Sequence, residues 1–119
     1  MITIAKRFTF DAAHSLPQCG EHHKCSRLHG HTYGVELRLR GELDERGFIV
    51  DYDELAAAWA PIHAELDHRL LNDIPGLECS STEVVVRWVF ERFAKTSIGK
   101  FLVSVRVDES STTWAEYAP

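Results

Sequence analysis

An antiparallel β-sheet carrying two helices on one face, an α+β fold in the order ββααββ, is what the 119-residue sequence predicts. Three observations predict it. Residues 31–43 alternate, with Tyr33, Val35, Leu37, Leu39 and Leu43 on one side and Thr32, Glu36, Arg38, Arg40 and Glu42 on the other. That is the period-two pattern of a sheet with one dry and one wet face. Leu55, Trp59, Ile62 and Leu66, and later Val85, Trp88, Val89 and Phe93, recur at helical intervals. Phe101, Val103, Val105 and Val107 then alternate with Leu102, Ser104 and Arg106 as a third long strand.

The remaining elements follow in order. Residues 2–10 read as a strand, with Ile2, Ile4, Phe8 and Phe10 on one parity and Thr3, Ala5, Arg7 and Thr9 on the other. Lys6 interrupts the apolar parity, as a substrate-phosphate contact or as a lysine that protects a sheet edge; the second is favoured. Residues 15–28, with Pro17 and Gly20, form a loop. Asp44-Glu45-Arg46-Gly47 is a turn, after which Phe48-Ile49-Val50 continues the sheet briefly. Asp51 caps the first helix, with Glu54 at capping-box spacing. Pro61 lies inside that helix and removes a backbone donor, which predicts a kink or an interruption. Residues 72–79, with Pro75-Gly76, are a loop. The second helix begins near Ser80 or Ser81, and Ser80 with Glu83 fits another capping box. Residues 112–117 make a last short strand. An open four-stranded sheet leaves two edges, which predicts oligomerisation through the sheet.

Composition bounds the function. At 119 residues, 45% hydrophobic and 26% charged, residues 1–119 make one compact globular domain rather than a disordered, fibrous or disulfide-stapled chain. No run approaches the ~18 apolar residues of a transmembrane helix, and the N-terminus lacks a signal-peptide pattern. A cytoplasmic location is expected, where Cys19, Cys25 and Cys79 are free thiols. A net charge of -5 argues against nucleic acid as a partner. A small phosphorylated substrate needs only a local cationic pocket.

Seven histidines in so short an acidic chain are the feature to explain. His29 and His31 flank Gly30, so in an extended segment both rings face the same way. His14 ends the first strand and supplies a third ligand if the first two strands pair. Three histidines with an open fourth position describe a catalytic zinc; a pair of surface histidines beside a turn is the other reading. Cys25, four residues before His29 and near Lys24 and Arg27, is either an activated thiolate or an idle cysteine. Asp67-His68 closes the first helix, where a solvated terminus is the favoured local reading. Glu109 shares parity with Phe101, Val103, Val105 and Val107, so it sits at the sheet rim or points into a pocket, where it could accept two parallel N–H donors.

Together, Phe10-Asp11-Ala12-Ala13-His14, Cys25-Ser26-Arg27-Leu28-His29-Gly30-His31, Leu66-Asp67-His68, Leu71-Asn72-Asp73-Ile74-Pro75-Gly76-Leu77, Ser81-Thr82-Glu83 and Glu109 resemble the 6-pyruvoyltetrahydropterin synthase family. The resemblance runs over nearly the whole chain and is strongest to the bacterial branch of 6-carboxytetrahydropterin synthases. It implies the tunnelling fold, in which ββααββ units join their sheets into an oligomeric barrel, as a homo-oligomer with active sites at subunit interfaces. It implies Zn2+ on His14, His29 and His31, a catalytic Cys25, a catalytic pair Asp67 and His68, and a pterin-anchoring Glu109 with Thr82 and Glu83 beside it. The implied substrate is a pterin triphosphate, 7,8-dihydroneopterin triphosphate. Three residues separate Cys25 from the His-Gly-His, as in the carboxy-forming branch; the pyruvoyl-forming branch has five. A branch acting as a dihydroneopterin aldolase carries glutamate in place of the cysteine. Cys79-Ser80 departs from the family pattern, where proline is common, and a local loop difference is expected there.

Overall fold

Two long strands dominate the molecule. β1 (Ile2–His14) and β2 (His29–Gly41) pair antiparallel over their full length, from Ile2 opposite Gly41 to His14 opposite His29. The computed structural model describes every residue, Met1–Pro119. Alternation puts Phe10, Tyr33, Val35, Leu37 and Leu39 on the face that packs into the core, where each is at most 1% exposed. β1 runs four residues past the expected end and β2 begins two residues early, so the three candidate histidines belong to strands rather than to a loop.

Helix α1 (Tyr52–Leu66) follows, then a two-residue strand β3 (Arg69–Leu70), helix α2 (Thr82–Ala94), β4 (Leu102–Asp108) and β5 (Trp114–Tyr117). The sheet has five strands in the order β3-β1-β2-β4-β5, all antiparallel except that β3 runs parallel to the end of β1. β3 is the addition to the expected four. Both helices cover the dry face, burying Leu55, Trp59, Ile62 and Leu66 from α1 and Val85, Val89 and Phe93 from α2. Each such side chain contributes roughly 1.5–3 kcal/mol relative to exposure.

Several local expectations are corrected. Phe48-Ile49-Val50 is a bend, not a strand, although Ile49 and Val50 are buried. Helix α1 runs through Pro61 without interruption. Pro61 and Ala57, whose carbonyl loses its partner, are both on the exposed side, where water can replace the bond. Neither capping box forms. Asp51 caps α1, accepting from the Asp53 amide at 2.8 Å, but Glu54 pairs with Arg46 at 3.1 Å. Ser81, not Ser80, caps α2 through the Val84 amide. In β4 a bulge sets Ser104 against Arg38 but Leu102 against Leu39, so Val103 is 39% exposed and Leu102 takes the buried position. Val105 and Val107 lie beyond the bulge and keep their inward parity.

Candidate active site

The last rungs of the β1–β2 ladder carry three imidazoles. His14 is opposite His29, and Ala12 is opposite His31, so all three rings stand on the helix-covered face. Gly30 lets this end of the ladder close, since a Cβ there would come 3.3 Å from the Ala12 carbonyl. The ring centroids are 4.6 Å apart for His14–His29, 4.9 Å for His29–His31 and 5.2 Å for His14–His31. One nitrogen from each lies within 4.8 Å of the others.

These residues fit a metal ion by their own hydrogen bonding. His14 Nδ1 donates to the Ser80 carbonyl at 2.8 Å and His29 Nδ1 to the Arg27 carbonyl at 2.7 Å, which fixes the tautomer and leaves each Nε2 with a free lone pair. His31 Nε2 is buried without a hydrogen-bond partner. Burial also holds His14 and His31 below the ordinary histidine pKa, in the neutral form that coordinates metals.

Around the imidazoles stand groups of different origin. Glu109, just past β4, places Oε1 3.3 Å from His31 Nε2 without hydrogen-bond geometry, and its Oε2 accepts from the Thr82 hydroxyl. Ser80 is fully buried, with its hydroxyl 3.3 Å from His14 Nδ1 in addition to the carbonyl contact. Tyr33 continues the row begun by His29 and His31 and is also fully buried. Its pKa is pushed far above the ordinary value by burial and then by the charge of Glu109. Sequence reasoning missed Ser80, read as a helix cap, and Tyr33, read as core. Tyr33's shared parity with the two histidines was the available signal; nothing local marked Ser80.

Asp67 and His68 form a pair at the C-terminal end of α1. Asp67 Oδ2 accepts from His68 Nδ1 at 2.8 Å, and Asp67 Oδ1 accepts from the Asp11 amide at 2.9 Å. His68 has a left-handed backbone, φ 57°, held by its own amide donating to the Asp11 carbonyl at 2.6 Å. The hydrogen bond that His68 donates to Asp67 raises the His68 pKa. His68 lines a cleft of roughly 620 Å3 with Asp11, Ala13, Gly30 and Thr32. Asp11–Thr32 and Ala13–Gly30 are the cross-strand pairs that alternate with the histidine rungs. By strand parity most of this lining lies on the sheet face opposite the imidazole rings, and Ala12 and His31 also border the cleft.

Cys25 is half-buried in a single helical turn of the 15–28 loop. Its amide donates to His23 Nδ1 at 3.0 Å, and its carbonyl accepts from the Leu16 amide at 2.7 Å, which closes the neck of the loop. Glu83 is exposed and lines a separate hollow with Arg87, Trp88 and Tyr117. Thus the fold gathers His14, His29, His31, Glu109 and Thr82, sets His68 in the separate cleft with Asp67 bonded to it, and turns Glu83 away. His22 is exposed beside Glu21, and His63 packs at the edge of Trp59 with Nε2 3.9 Å from Asp67. No helix is long and apolar enough to cross a membrane.

Comparison with known proteins adds four likenesses. The family profile described as 6-pyruvoyl tetrahydropterin synthase matches residues 3–119. The chain is 38% identical to a 6-carboxy-5,6,7,8-tetrahydropterin synthase of Synechocystis sp., over 98% of this chain and 93% of that one. It is 34% identical to a dihydroneopterin monophosphate aldolase of Pyrococcus furiosus, over 81% of this chain and 78% of that one. Among solved structures it superposes on the 6-pyruvoyl tetrahydropterin synthase of Caenorhabditis elegans with a TM-score of 0.91 at 26% identity, covering 99% of this chain and 95% of that one.

Proposed function

The chain belongs to the 6-pyruvoyl tetrahydropterin synthase family, and from that premise we propose that it is the zinc-dependent lyase 6-carboxytetrahydropterin synthase. The reaction converts 7,8-dihydroneopterin triphosphate to 6-carboxy-5,6,7,8-tetrahydropterin and releases acetaldehyde and triphosphate, a step of queuosine and 7-deazapurine biosynthesis. The observation that carries this reading is the convergence of His14, His29 and His31 with Glu109 3.3 Å from His31. The three-residue spacing between Cys25 and His29 supports the carboxy-forming outcome over the pyruvoyl-forming one. Cys25 also stands where an aldolase of this family would carry glutamate.

The chemistry divides among named groups. His14, His29 and His31 would hold zinc, whose contribution is Lewis-acid polarisation of the substrate's side-chain oxygens. Glu109 accepts paired N–H donors from the pterin ring, and the Thr82 hydroxyl orients its carboxylate. Glu83, which the resemblance placed beside the pterin, is turned to a separate hollow, so within one chain Thr82 is the member of that segment that reaches Glu109. Cys25, as thiolate, takes the proton from the side-chain carbon. His68, oriented by Asp67, carries a proton to the departing oxygen.

One geometric fact bears on how the site is assembled. His68, held by Asp67, lines the cleft on one sheet face while the imidazoles stand on the other. The outer edge of β1 is unpaired from residue 2 to residue 10. Both support a homo-oligomer in which Asp67 and His68 of one copy complete the imidazole site of the next. The test is to incubate the zinc-loaded protein with 7,8-dihydroneopterin triphosphate and analyse the products by mass. Acetaldehyde and the 6-carboxy pterin are expected. A 6-pyruvoyl product would assign the other branch. Absence of any turnover would leave a zinc-stabilised pterin-binding module as the better reading.

A further inference from the structure

Cys25 is held through both polar groups of its own backbone. Its carbonyl accepts from the Leu16 amide at 2.7 Å, a backbone bond that needs no particular side chain. Its amide donates to His23 Nδ1 at 3.0 Å, and this bond depends on one imidazole. An amide N–H can only donate, so Nδ1 is the acceptor and the hydrogen of the neutral ring sits on Nε2. His23 is also the hub of the turn that carries the thiol. Its carbonyl accepts from the Ser26 amide at 3.0 Å and from the Ser26 hydroxyl at 2.7 Å, and its amide donates to the Gly20 carbonyl at 3.1 Å. Lys24–Ser26 is a single helical turn, and one turn alone does not repay the entropy of forming it. The cap at its start therefore decides how firmly Cys25 is placed. His23 is exposed, so packing does not account for an imidazole at this position.

From this we infer that His23 is a positioning residue: its imidazole fixes the turn that carries Cys25 and so aims the thiol at the carbon that loses its proton. Nδ1 stands where an asparagine would put its side-chain oxygen when it takes the amide two residues on. No covalent bond is made or broken at His23, and no proton leaves it. His29 does not depend on this turn, because it is held on its rung opposite His14. The loss of His23 is therefore felt at the thiol and not at the three imidazoles. The aim of the thiol rests on the proposed lyase reaction, in which Cys25 takes the proton; the hold on Cys25 does not.

Two variants separate the hydrogen bond from the ring. His23→Ala removes the acceptor, and His23→Asn replaces it with an oxygen likewise bonded to Cγ. On the zinc-saturated enzyme with 7,8-dihydroneopterin triphosphate, kcat of His23→Ala is expected to fall roughly tenfold, the scale of a small misplacement of a reacting group, with KM and bound zinc near the parental values. His23→Asn is expected to recover kcat to within about threefold. A parental kcat in His23→Ala overturns the role. So does a His23→Asn enzyme as slow as His23→Ala, since the acceptor would then not be what matters. A fall in kcat matched by loss of zinc overturns it too, because the turn would then support the metal rather than the thiol. The hold on Cys25 is read separately, from the rate at which iodoacetamide alkylates it relative to the exposed Cys79, resolved by peptide mass. That ratio is expected to rise several-fold in His23→Ala and to return in His23→Asn; an unchanged ratio overturns the hold. If the parent protein does not turn this substrate over, the lyase reading fails, while the alkylation ratio still decides whether His23 holds Cys25.

Discussion

Two glutamates, one in β2 and one just past β4, show how one kind of side chain serves two ends. Glu36, in the middle of β2 on the face away from the helices, is 8% exposed. Its Oε1 accepts from Arg7 Nε at 2.9 Å and its Oε2 from Arg38 Nε at 2.8 Å. Burial pushes its pKa up, but the two guanidinium hydrogen bonds outweigh it and the net shift is down. Glu109, on the opposite face, has a side chain 22% exposed. It has no Arg or Lys partner; a hydroxyl takes one oxygen and an imidazole stands near the other without a hydrogen bond. Glu36 is saturated by its own chain. Glu109 keeps acceptor capacity for something the chain does not supply. A half-buried carboxylate marks a binding site when its complement is missing, not because it is buried.

The contrast can be broken at either residue. The largest effect is expected from Glu109→Gln: kcat/KM on the pterin substrate falls by about 100-fold or more, because a charge-assisted double acceptor becomes half donor. Its thermal unfolding should barely move; a large loss of stability with activity intact would make Glu109 the structural carboxylate. Thr82→Val removes the group that orients Glu109 and should cost about tenfold in kcat/KM, mostly through KM, by steady-state kinetics. Glu36→Gln should reverse the pattern, lowering unfolding free energy by about 1–2 kcal/mol in urea denaturation with kcat unchanged. That range is modest because Arg7 and Arg38 are well exposed and can be rehydrated.

Asp67 stands between the two, bonded within the chain yet next to His68, which lines a cleft, and Asp67→Asn should have the smallest effect of the four. Its pKa is lowered by the Asp11 amide and then by His68, so its contribution is present above the ordinary value of 3.8 and lost as pH falls through the lowered one. His68 is raised, so its contribution is full below the ordinary 6.5 and lost as pH rises through the raised value. The melting-temperature deficit of Asp67→Asn should therefore be greatest between those two limits and shrink on both sides. A deficit that does not shrink as pH rises past the raised His68 value would show that the Asp11 amide alone accounts for the carboxylate's role.

Alternation along β1 and β2 was enough to bring His14, His29 and His31 together from the sequence, because cross-strand register is a short-range consequence of backbone geometry. Glu109 was readable for the same reason, counting back through Val107 and Val105. Counting further failed at Val103, where the bulge reverses parity and no glycine or proline announces it. The capping boxes failed for a different reason: Glu54 and Ser80 had the right local spacing, but Arg46 and His14 engage them from a distance. Which face Asp67 and His68 serve depends on β3 docking beside β1, a contact no local pattern in either segment contains.

The opposition of His14 and His29 on the last rung of a 13-residue strand pair has a consequence for how the chain tolerates changes of length. One residue added or removed between 32 and 41 would turn His29 and His31 onto the face of Asp11, abolishing the cluster rather than weakening it. The same change between 15 and 24 leaves every rung in place and alters only loop closure, where even doubling the length costs about 0.6 kcal/mol. Insertions and deletions in this lineage are therefore expected to collect ahead of Cys25, with the strand that follows held to a fixed length.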